Sequence, residues 1–472
     1  MSMANVNLTI NGKALSVPAG STILEAARAN GIHIPTLCFL KELDPHASCR
    51  MCVVEVEGAR TFQHACAAKV REGMAVHTDT EAVRASRKLT LELLLSNHAV
   101  DCHHCLRIGS SRCDDLDPKF CEWCFFCDCV KDGFCELQAL AREYKVDKLP
   151  FEQKHNTLPE DKSSVIARNP NKCIKCKRCV DVCGKVQTVH NLAASGRGCE
   201  VVIGPAFLKP MAESDCIGCG RCVQVCPTGA IYALEHKDEL VYYAHRDGIK
   251  TAAAVSAELI PELERVLHRN SGSVSLPEVV GALKKIGVDT VIDAAEAEEA
   301  ARAQAEKLLD EKLRQGKSVI LTNSFAAKAF LEKTFPDKKD SFLFYDSALA
   351  VFGRAAGEYD KRFAFGPVGD DAMECEKTRC VDIAVNAREL ARIMIRTGSE
   401  PNLGRTAKAD TLGLPGSAGR YGRLLGEAAW NMDSEPERFE ENGLRCVICH
   451  NLSEARKALA ETDRYDVIRV MA

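Results

Sequence analysis

Apolar and polar residues alternate from Val6 to Val17, with Asn11-Gly12 between the two runs. That period of two predicts a β-hairpin closed by a type I′ turn. Thr22 and Glu25 bracket Ile23-Leu24, the spacing of a capping box, and predict a short helix ending at Gly31. Val53, Val54 and Val56 predict another strand, so hairpin, helix and strand together suggest a β-grasp fold. From Glu81 to Asn97 the apolar positions Val83, Leu91, Leu94 and Leu95 recur at helical spacing. Pro150 to Asp161 is polar and proline-bounded, which predicts a linker. Beyond residue 235 the rhythm changes. Short apolar runs at Thr251–Val255 and Ser318–Thr322 predict strands. They alternate with predicted helices at Val279–Ile286 (boxed by Ser275 and Glu278, with Pro277 early), Glu296–Arg314 and Arg388–Arg396, the last closed by Gly398. Glu296–Arg314 reads as a charged amphipathic helix. The alternation predicts a largely parallel sheet covered by helices.

At 472 residues the chain has room for about three or four domains. Its 62 basic and 66 acidic residues nearly balance, which argues against nucleic acid as a partner. No run of about 18 apolar residues exists and the start lacks a basic-then-apolar leader, so the reading is a cytoplasmic protein with no membrane span. No Walker A motif appears and no GxGxxG follows a strand, so no nucleotide or flavin site is evident.

The 25 cysteines change the picture. All but four precede residue 230, at CxxC spacings that imply metal rather than disulfides. Cys173-x2-Cys176-x2-Cys179-x3-Cys183 is repeated as Cys216-x2-Cys219-x2-Cys222-x3-Cys226-Pro227. Three cysteines at this spacing wrap one cubane and the fourth crosses to the other. One [4Fe-4S] set is therefore Cys173, Cys176, Cys179 and Cys226, and the second is Cys216, Cys219, Cys222 and Cys183. Two full copies are a stricter match than a disulfide or zinc module requires. Cys199, between the repeats, has no partner at ligand spacing and reads as a packed small residue. Near the start, Cys38-x10-Cys49-x2-Cys52-x13-Cys66 puts three ligands on one loop and a fourth on a later segment, as a [2Fe-2S] site needs. Zinc is the rival there.

Pro35-Thr36-Leu37-Cys38 with Ser48-Cys49-Arg50-Met51-Cys52-Val53-Val54-Glu55-Val56 resembles the N-terminal ferredoxin domain of complex I large iron–sulfur subunits and of [FeFe]-hydrogenases. In those families a His-Cys-rich motif follows, with one cysteine just before Glu-Leu-Gln. Here Cys135-Glu136-Leu137-Gln138 fits, so the resemblance implies a [4Fe-4S] cluster on His98, Cys102, Cys105 and Cys135. An insertion departs from the pattern, carrying Cys113, Cys121, Cys124, Cys127 and Cys129. Four of these five are expected to form an additional site, either a fourth [4Fe-4S] cluster or a zinc staple. Cys129-x5-Cys135 also imitates the family's last ligand pair, which leaves a reshuffled ligand set open.

The run from Pro277 to Asp293, Ala387-Arg388-Glu389-Leu390-Ala391-Arg392 and Gly416-Ser417-Ala418-Gly419 resemble the catalytic domain of [FeFe]-hydrogenases. That family hangs its hydrogen-activating iron on cysteines in T-S-C-C-P, M-P-C-x-x-K-x-x-E and M-x-C-P-G-G-C. Here the first reads Thr322-Asn323-Ser324-Phe325-Ala326. In the second, Pro367 and Glu374 fit but Val368 replaces the cysteine. The third stops at Val470-Met471-Ala472. The expectation is a degenerate domain without its active-site metal and with no catalytic residue of its own. Cys375, Cys380, Cys446 and Cys449 remain. Ordinary buried thiols are the favoured reading, with one rebuilt zinc or cluster site as the alternative. Cys446-x2-Cys449-His450 matches a haem attachment motif only superficially.

The resulting division is residues 1–80, a β-grasp [2Fe-2S] ferredoxin; 81–150, a His-Cys-rich domain; 160–235, a two-cluster ferredoxin; and 245–472, a hydrogenase-like α/β domain. The class is multidomain α+β and α/β. The implied function is electron transfer through one [2Fe-2S] and three or four [4Fe-4S] centres. The resemblance implies a flavin subunit carrying FMN and NAD(P), a small thioredoxin-like [2Fe-2S] subunit, soluble ferredoxin, and separate catalytic subunits ([NiFe]-hydrogenase first, formate dehydrogenase second), with electron bifurcation as an extension. The alternatives are a divergent [FeFe]-hydrogenase and a redox sensor.

Overall fold

The computed structural model describes residues 4–99, 129–131, 134–152, 158–267, 269–316, 318–366, 370–399, 406–426, 431–432 and 434–472. Cys102, Cys105, Cys113, Cys121, Cys124, Cys127, Pro367 and Val368 lie outside the described residues.

The chain opens with β1 (Asn5–Ile10) and β2 (Lys13–Pro18), an antiparallel pair turned at Asn11 and Gly12, both at positive φ. Next comes α1 (Ile23–Ala29), where Glu25 accepts from the Thr22 N–H and Thr22 accepts from the Glu25 N–H. The strands β3 (Val53–Val56), β4 (Gln63–His64) and β5 (Met74–His77) complete a mixed sheet of order β2-β1-β5-β3-β4. One core joins Ile10, Val17 and Val54 of the sheet to Ile23, Leu24 and Ala27 of α1.

The helix α2 (Glu81–Ser96) buries Val83, Leu91 and Leu95 on one face, and Arg87 with them. The Arg87 guanidinium donates to the Val53 carbonyl at 2.7 Å and to Tyr144 Oη at 3.0 Å, so its charge is dispersed over oxygen acceptors. The short helix α3 (Glu136–Glu143) follows.

Two small antiparallel pairs frame the next unit: β6 (Ile166–Arg168) with a later strand, and β7 (Ala193–Ser195) with β8 (Val202–Gly204). Between and after them lie α4 (Arg178–Asp181), α5 (Arg221–Val225) and the strand β9 (Ile231–Ala233), which pairs with β6. Cys199 sits in a single turn between β7 and β8. The end of the expected linker is tied down: Tyr232 Oη donates to Glu160 at 2.6 Å, and Asp161 bridges Arg168.

The remainder holds α6 (Lys237–Ala244), β10 (Thr251–Val255), α7 (Leu259–Val266), α8 (Leu276–Ile286), β11 (Thr290–Asp293), α9 (Ala294–Leu313), β12 (Val319–Thr322), α10 (Phe325–Thr334), β13 (Phe342–Phe344), α11 (Ala348–Ala355), β14 (Lys361–Phe365), α12 (Asp370–Thr378), β15 (Ile383–Val385), α13 (Ala387–Thr397), α14 (Gly422–Leu425), β16 (Glu437–Glu441), β17 (Leu444–Cys449), α15 (Leu452–Ala460) and β18 (Val467–Val470). The single sheet expected from the alternation is two. One, β11-β10-β14-β15, is fully parallel; the other, β13-β12-β18-β17-β16, is parallel except for the edge strand β16. The inner strands β10, β12 and β18 are buried along their whole length, as a parallel sheet covered on both faces requires. No helix among the described residues is long and apolar enough to cross a membrane.

Candidate functional site: the cysteine sets and the cleft beside them

Thr22 and Glu25 fix the start of α1, and the loop after α1 carries Cys38, Cys49 and Cys52 toward Cys66 beyond β4. All four thiols are buried. They meet as two pairs. Cys52 Sγ stands 3.4 Å from Cys66 Sγ, and Cys38 shares a hydrogen bond with Cys49. That bond pulls the Cys38 thiol down to about 5 and pushes the Cys49 thiol up; Cys66 does the same for Cys52, which is lowered while Cys66 is raised.

The repeated motif folds into two separate pockets. One is lined by Cys173, Cys176, Cys179 and Cys226, the other by Cys183, Cys216, Cys219 and Cys222. Each fourth cysteine has crossed to the other loop. Burial pushes these thiols up, to about 11 for Cys173 and about 12 for Cys176 and Cys216, and well above the ordinary value for Cys179 and Cys222. For Cys173 and Cys176 burial outweighs the nearby positive charges of Lys175, Arg168 and Arg178, which act the other way. A cationic iron core is what would draw the protons off and hold four thiolates in apolar surroundings. Among the described residues no three Cys, His, Asp or Glu side chains converge as ligands of one ion. A zinc ion would draw its sulfurs to about 2.3 Å from one point. Four thiols around one pocket are the donor set that a cubane needs.

His98 follows the end of α2 and is 3% exposed; Cys135, at the start of α3, is 4% exposed. Cys129 is buried as well, and its sulfur lies over Gly229, where a Cβ would stand 3.1 Å from it. Burial pushes the Cys135 thiol up to about 12, and the charges of Cys129 and Cys226 act in the same direction. Of the five inserted cysteines, Cys129 thus packs with Cys135 and the first ferredoxin pocket.

One apolar cluster contains Cys38, Cys49, Cys135 and Cys176, cysteines from three different sets. Arg178 stands among them. It is 6% exposed, binds Glu136 through both carboxylate oxygens at 2.6 and 3.0 Å, and its charge acts on Cys176 and Cys38. His46 bonds Asp181 of α4, fastening the first loop to the ferredoxin unit.

The second pocket reaches the C-terminal half. Ile217 and Cys219 pack into a core with Phe330, Leu452 and Ile468. Gly218 has φ +76°, and a Cβ there would come within 2.5 Å of the Met373 side chain on α12. Gly218→Ala is expected to cost about 1–2 kcal/mol from the left-handed backbone alone. Adding Met373→Ala should relieve only part of the contact, because the Cβ at position 373 would still stand 2.7 Å away. Thermal unfolding of both variants checks this, and equal stability of Gly218→Ala and wild type would contradict it.

Beyond Cys219 opens a cleft of about 770 Å³ between the two sheets. Ser324, at the first hydrogenase-motif position, lines it and caps α10, its Oγ accepting from the Ala327 N–H at 3.0 Å. Glu374 lines it too. The four remaining cysteines do not gather, which corrects the rebuilt-site alternative. Cys446 belongs to the core under α9, and Cys449 to the core on the other face of β17 with Leu452 and Ile468. Cys375 and Cys380 lie in a third core, around Phe352.

Cys380 hydrogen-bonds Cys375, which lowers its thiol to about 6, while burial raises Cys446 to about 11 and Cys449 to about 12. At pH 7 Cys380 should be the first of these four alkylated by iodoacetamide, as read by peptide mass spectrometry. Faster labelling of Cys446 or Cys449 would contradict that order.

Comparison with known proteins finds three family domains along the chain. Residues 3–81 match the 2Fe-2S iron–sulfur cluster binding domain, and residues 212–232 the 4Fe-4S binding domain. Residues 249–472 match the iron only hydrogenase large subunit, C-terminal domain. The NADP-reducing hydrogenase subunit HndD of Solidesulfovibrio fructosivorans is 32% identical across 100% of this chain and 87% of its own length. This chain belongs to the [FeFe]-hydrogenase-like iron–sulfur subunits. Within that family it is an oxidoreductase electron-transfer protein with [2Fe-2S] and [4Fe-4S] domains. The mitochondrial NADH-ubiquinone oxidoreductase 78 kDa subunit of Candida albicans is 30% identical over 48% of the chain, which spans only 28% of that relative. The NADPH-Fe(3+) oxidoreductase subunit alpha of Geobacter sulfurreducens is 32% identical, with 49% of this chain and 24% of that one covered. Among solved structures, an NAD+-reducing [NiFe]-hydrogenase matches at 27% identity and TM-score 0.40 over 48% of this chain and 87% of that one. An [FeFe]-hydrogenase matches at 14% identity and TM-score 0.41 over 51% of this chain and 82% of that one.

Proposed function

We propose that this subunit is an electron wire inside a multisubunit NAD(P)-linked complex, and that it activates no hydrogen itself. The observation that carries the reading is the shared core of Cys38, Cys49, Cys135 and Cys176, which makes three cysteine sets near neighbours. Electron tunnelling falls off steeply with distance, so adjacency is the property a relay needs. When bound, the clusters supply one-electron steps, at potentials anywhere from roughly −700 to +450 mV.

We read residues 1–80 as a β-grasp ferredoxin, 81–150 as the His-Cys domain, 160–235 as a two-cluster ferredoxin and 245–472 as a degenerate hydrogenase-like domain. Cys38 and Cys49 would hold one iron of the [2Fe-2S] centre, and Cys52 and Cys66 the other. The two ferredoxin pockets take one cubane each, and His98, Cys102, Cys105 and Cys135 a third. The insertion cysteines form an additional site, with Cys129 beside Cys135. The chain's own residues set spacing, exclude water and supply positive charge through Arg178. The relatives' names support a link to NAD(P), and we assign its handling to a partner subunit that carries a flavin. A separate catalytic module, [NiFe]-hydrogenase or formate dehydrogenase, receives or delivers the electrons in the cytoplasm. A small [2Fe-2S] subunit and soluble ferredoxin complete the set, with bifurcation as the extended form.

Ser324 and Val368 stand where the family's iron takes cysteines, and neither can anchor a cluster as a thiolate does. The test is hydrogen evolution from reduced methyl viologen by the anaerobically purified, iron-loaded chain. No hydrogen is expected; evolution that scales with iron content would establish a hydrogenase instead.

A further inference from the structure

The cleft of about 770 Å³ lies outside the carboxyl ends of parallel strands from both sheets: Ser256 after β10, Asn323 after β12, Tyr345 after β13 and Gly366 after β14 line it. In parallel sheets this is where helices begin, and four do so here. Ala294 of α9, Ser324 before α10, Ser347 before α11 and Asn386 before α13 all border the cavity. Each helix start carries a partial positive charge and N–H groups that favour an anion.

A second feature is independent of the helices. Arg469 sits on β18, the central strand of its sheet, and is 5% exposed. Its Nη1 donates to the carbonyls of Leu424 and Gly426, both at 2.7 Å. Its Nε is buried and meets no hydrogen-bond partner, and no carboxylate forms an ion pair with it among the described residues. A buried guanidinium compensated only by neutral oxygens is costly to hold. Beside it, burial raises the Tyr345 phenol while Arg469 and Arg302 pull it back. The carboxylates on the wall are otherwise engaged or outside: Glu298 pairs with Arg302, Glu389 caps α13, Glu374 has its own partner, and Glu258 is exposed.

We propose that this cleft is a binding site for a small molecule bearing a carboxylate or phosphate, held by Arg469, the Tyr345 hydroxyl and the start of α11 at Ser347. The site abuts Cys219, so its occupant stands next to the second ferredoxin pocket. The assignment goes beyond the electron-wire reading and does not depend on it, because it is read as binding and not as electron transfer.

Isothermal titration of the iron-loaded full chain with inorganic phosphate in one arm and acetate in the other tests it. Saturable, one-site binding of either anion is expected, and the arm that responds names the headgroup. Arg469→Leu should weaken it about tenfold or more, and Tyr345→Phe, which removes one hydroxyl and its hydrogen bond to Arg469, about fivefold. No saturable binding of either anion by the wild-type chain would overturn the site. So would affinity unchanged in both variants.

Discussion

Replacing Cys176 or Cys219 by alanine is expected to abolish electron passage through the complex while leaving reduction of the flavin partner by NAD(P)H intact. Each residue is one of four thiols around its own pocket. Removing it leaves three sulfurs for a cubane that needs four ligands, and the loss should appear as about four fewer iron atoms per chain. The two sites differ in surroundings. Cys176 is packed with Cys38 and Cys135, whereas Cys219 faces the hydrogenase-like half. Loss at Cys176 should strand electrons in the N-terminal sets, and loss at Cys219 should leave both neighbouring sets reducible. Stopped-flow absorbance with NAD(P)H separates these outcomes. Full-rate delivery to the distal acceptor in either variant would mean that the path bypasses that pocket.

Arg178→Met is expected to act on two levels. The guanidinium is buried and doubly bonded to Glu136, whose side chain is 44% exposed. A fully buried pair broken on one side costs about 3–5 kcal/mol; with one partner this open to water, about 1–3 kcal/mol is the expectation. The second effect is electrostatic. Arg178 is a fixed positive charge acting on Cys176 and Cys38, and it favours the reduced, more negative state of whatever those sulfurs hold. Its removal should lower the midpoint potential of the centre at Cys176, by about 60 mV for a tenfold change in the one-electron equilibrium. Arg178→Lys should restore most of the potential but less of the stability, because an ammonium cannot reproduce the bidentate grip. Potentiometric titration followed by electron paramagnetic resonance reads the first, and thermal unfolding the second. An unchanged potential in Arg178→Met would remove Arg178 from the account.

Local rules carried the reading a long way. The hairpin at Asn11-Gly12, the Thr22–Glu25 box and the Ser275–Glu278 pair are set by residues within a few positions of one another, and all three are present in the fold. The crossed grouping of the ferredoxin cysteines was likewise legible, because in a repeated motif of this kind the fourth cysteine goes to the other loop. What escaped depends on distant partners. The split into two sheets follows from β18, the last strand, entering between β12 and β17. The sequence marks α9 only as a charged amphipathic helix, but in the fold Glu296 accepts from Thr411, Leu412 and Leu414, and Glu306 from Ser417, Ala418 and Arg420. Those carboxylates clamp the loop that holds Gly416 to Gly419. Arg469 shows no signal in sequence either, since a lone arginine in an apolar strand carries no hint of the cleft it faces.

Iron content per chain, measured after anaerobic purification, tests the central claim most directly. About 14 atoms are expected from the four assigned clusters, or about 18 if the inserted cysteines hold a further cubane. A chain that folds normally and carries fewer than about four iron atoms would contradict the account, because then no contiguous relay exists.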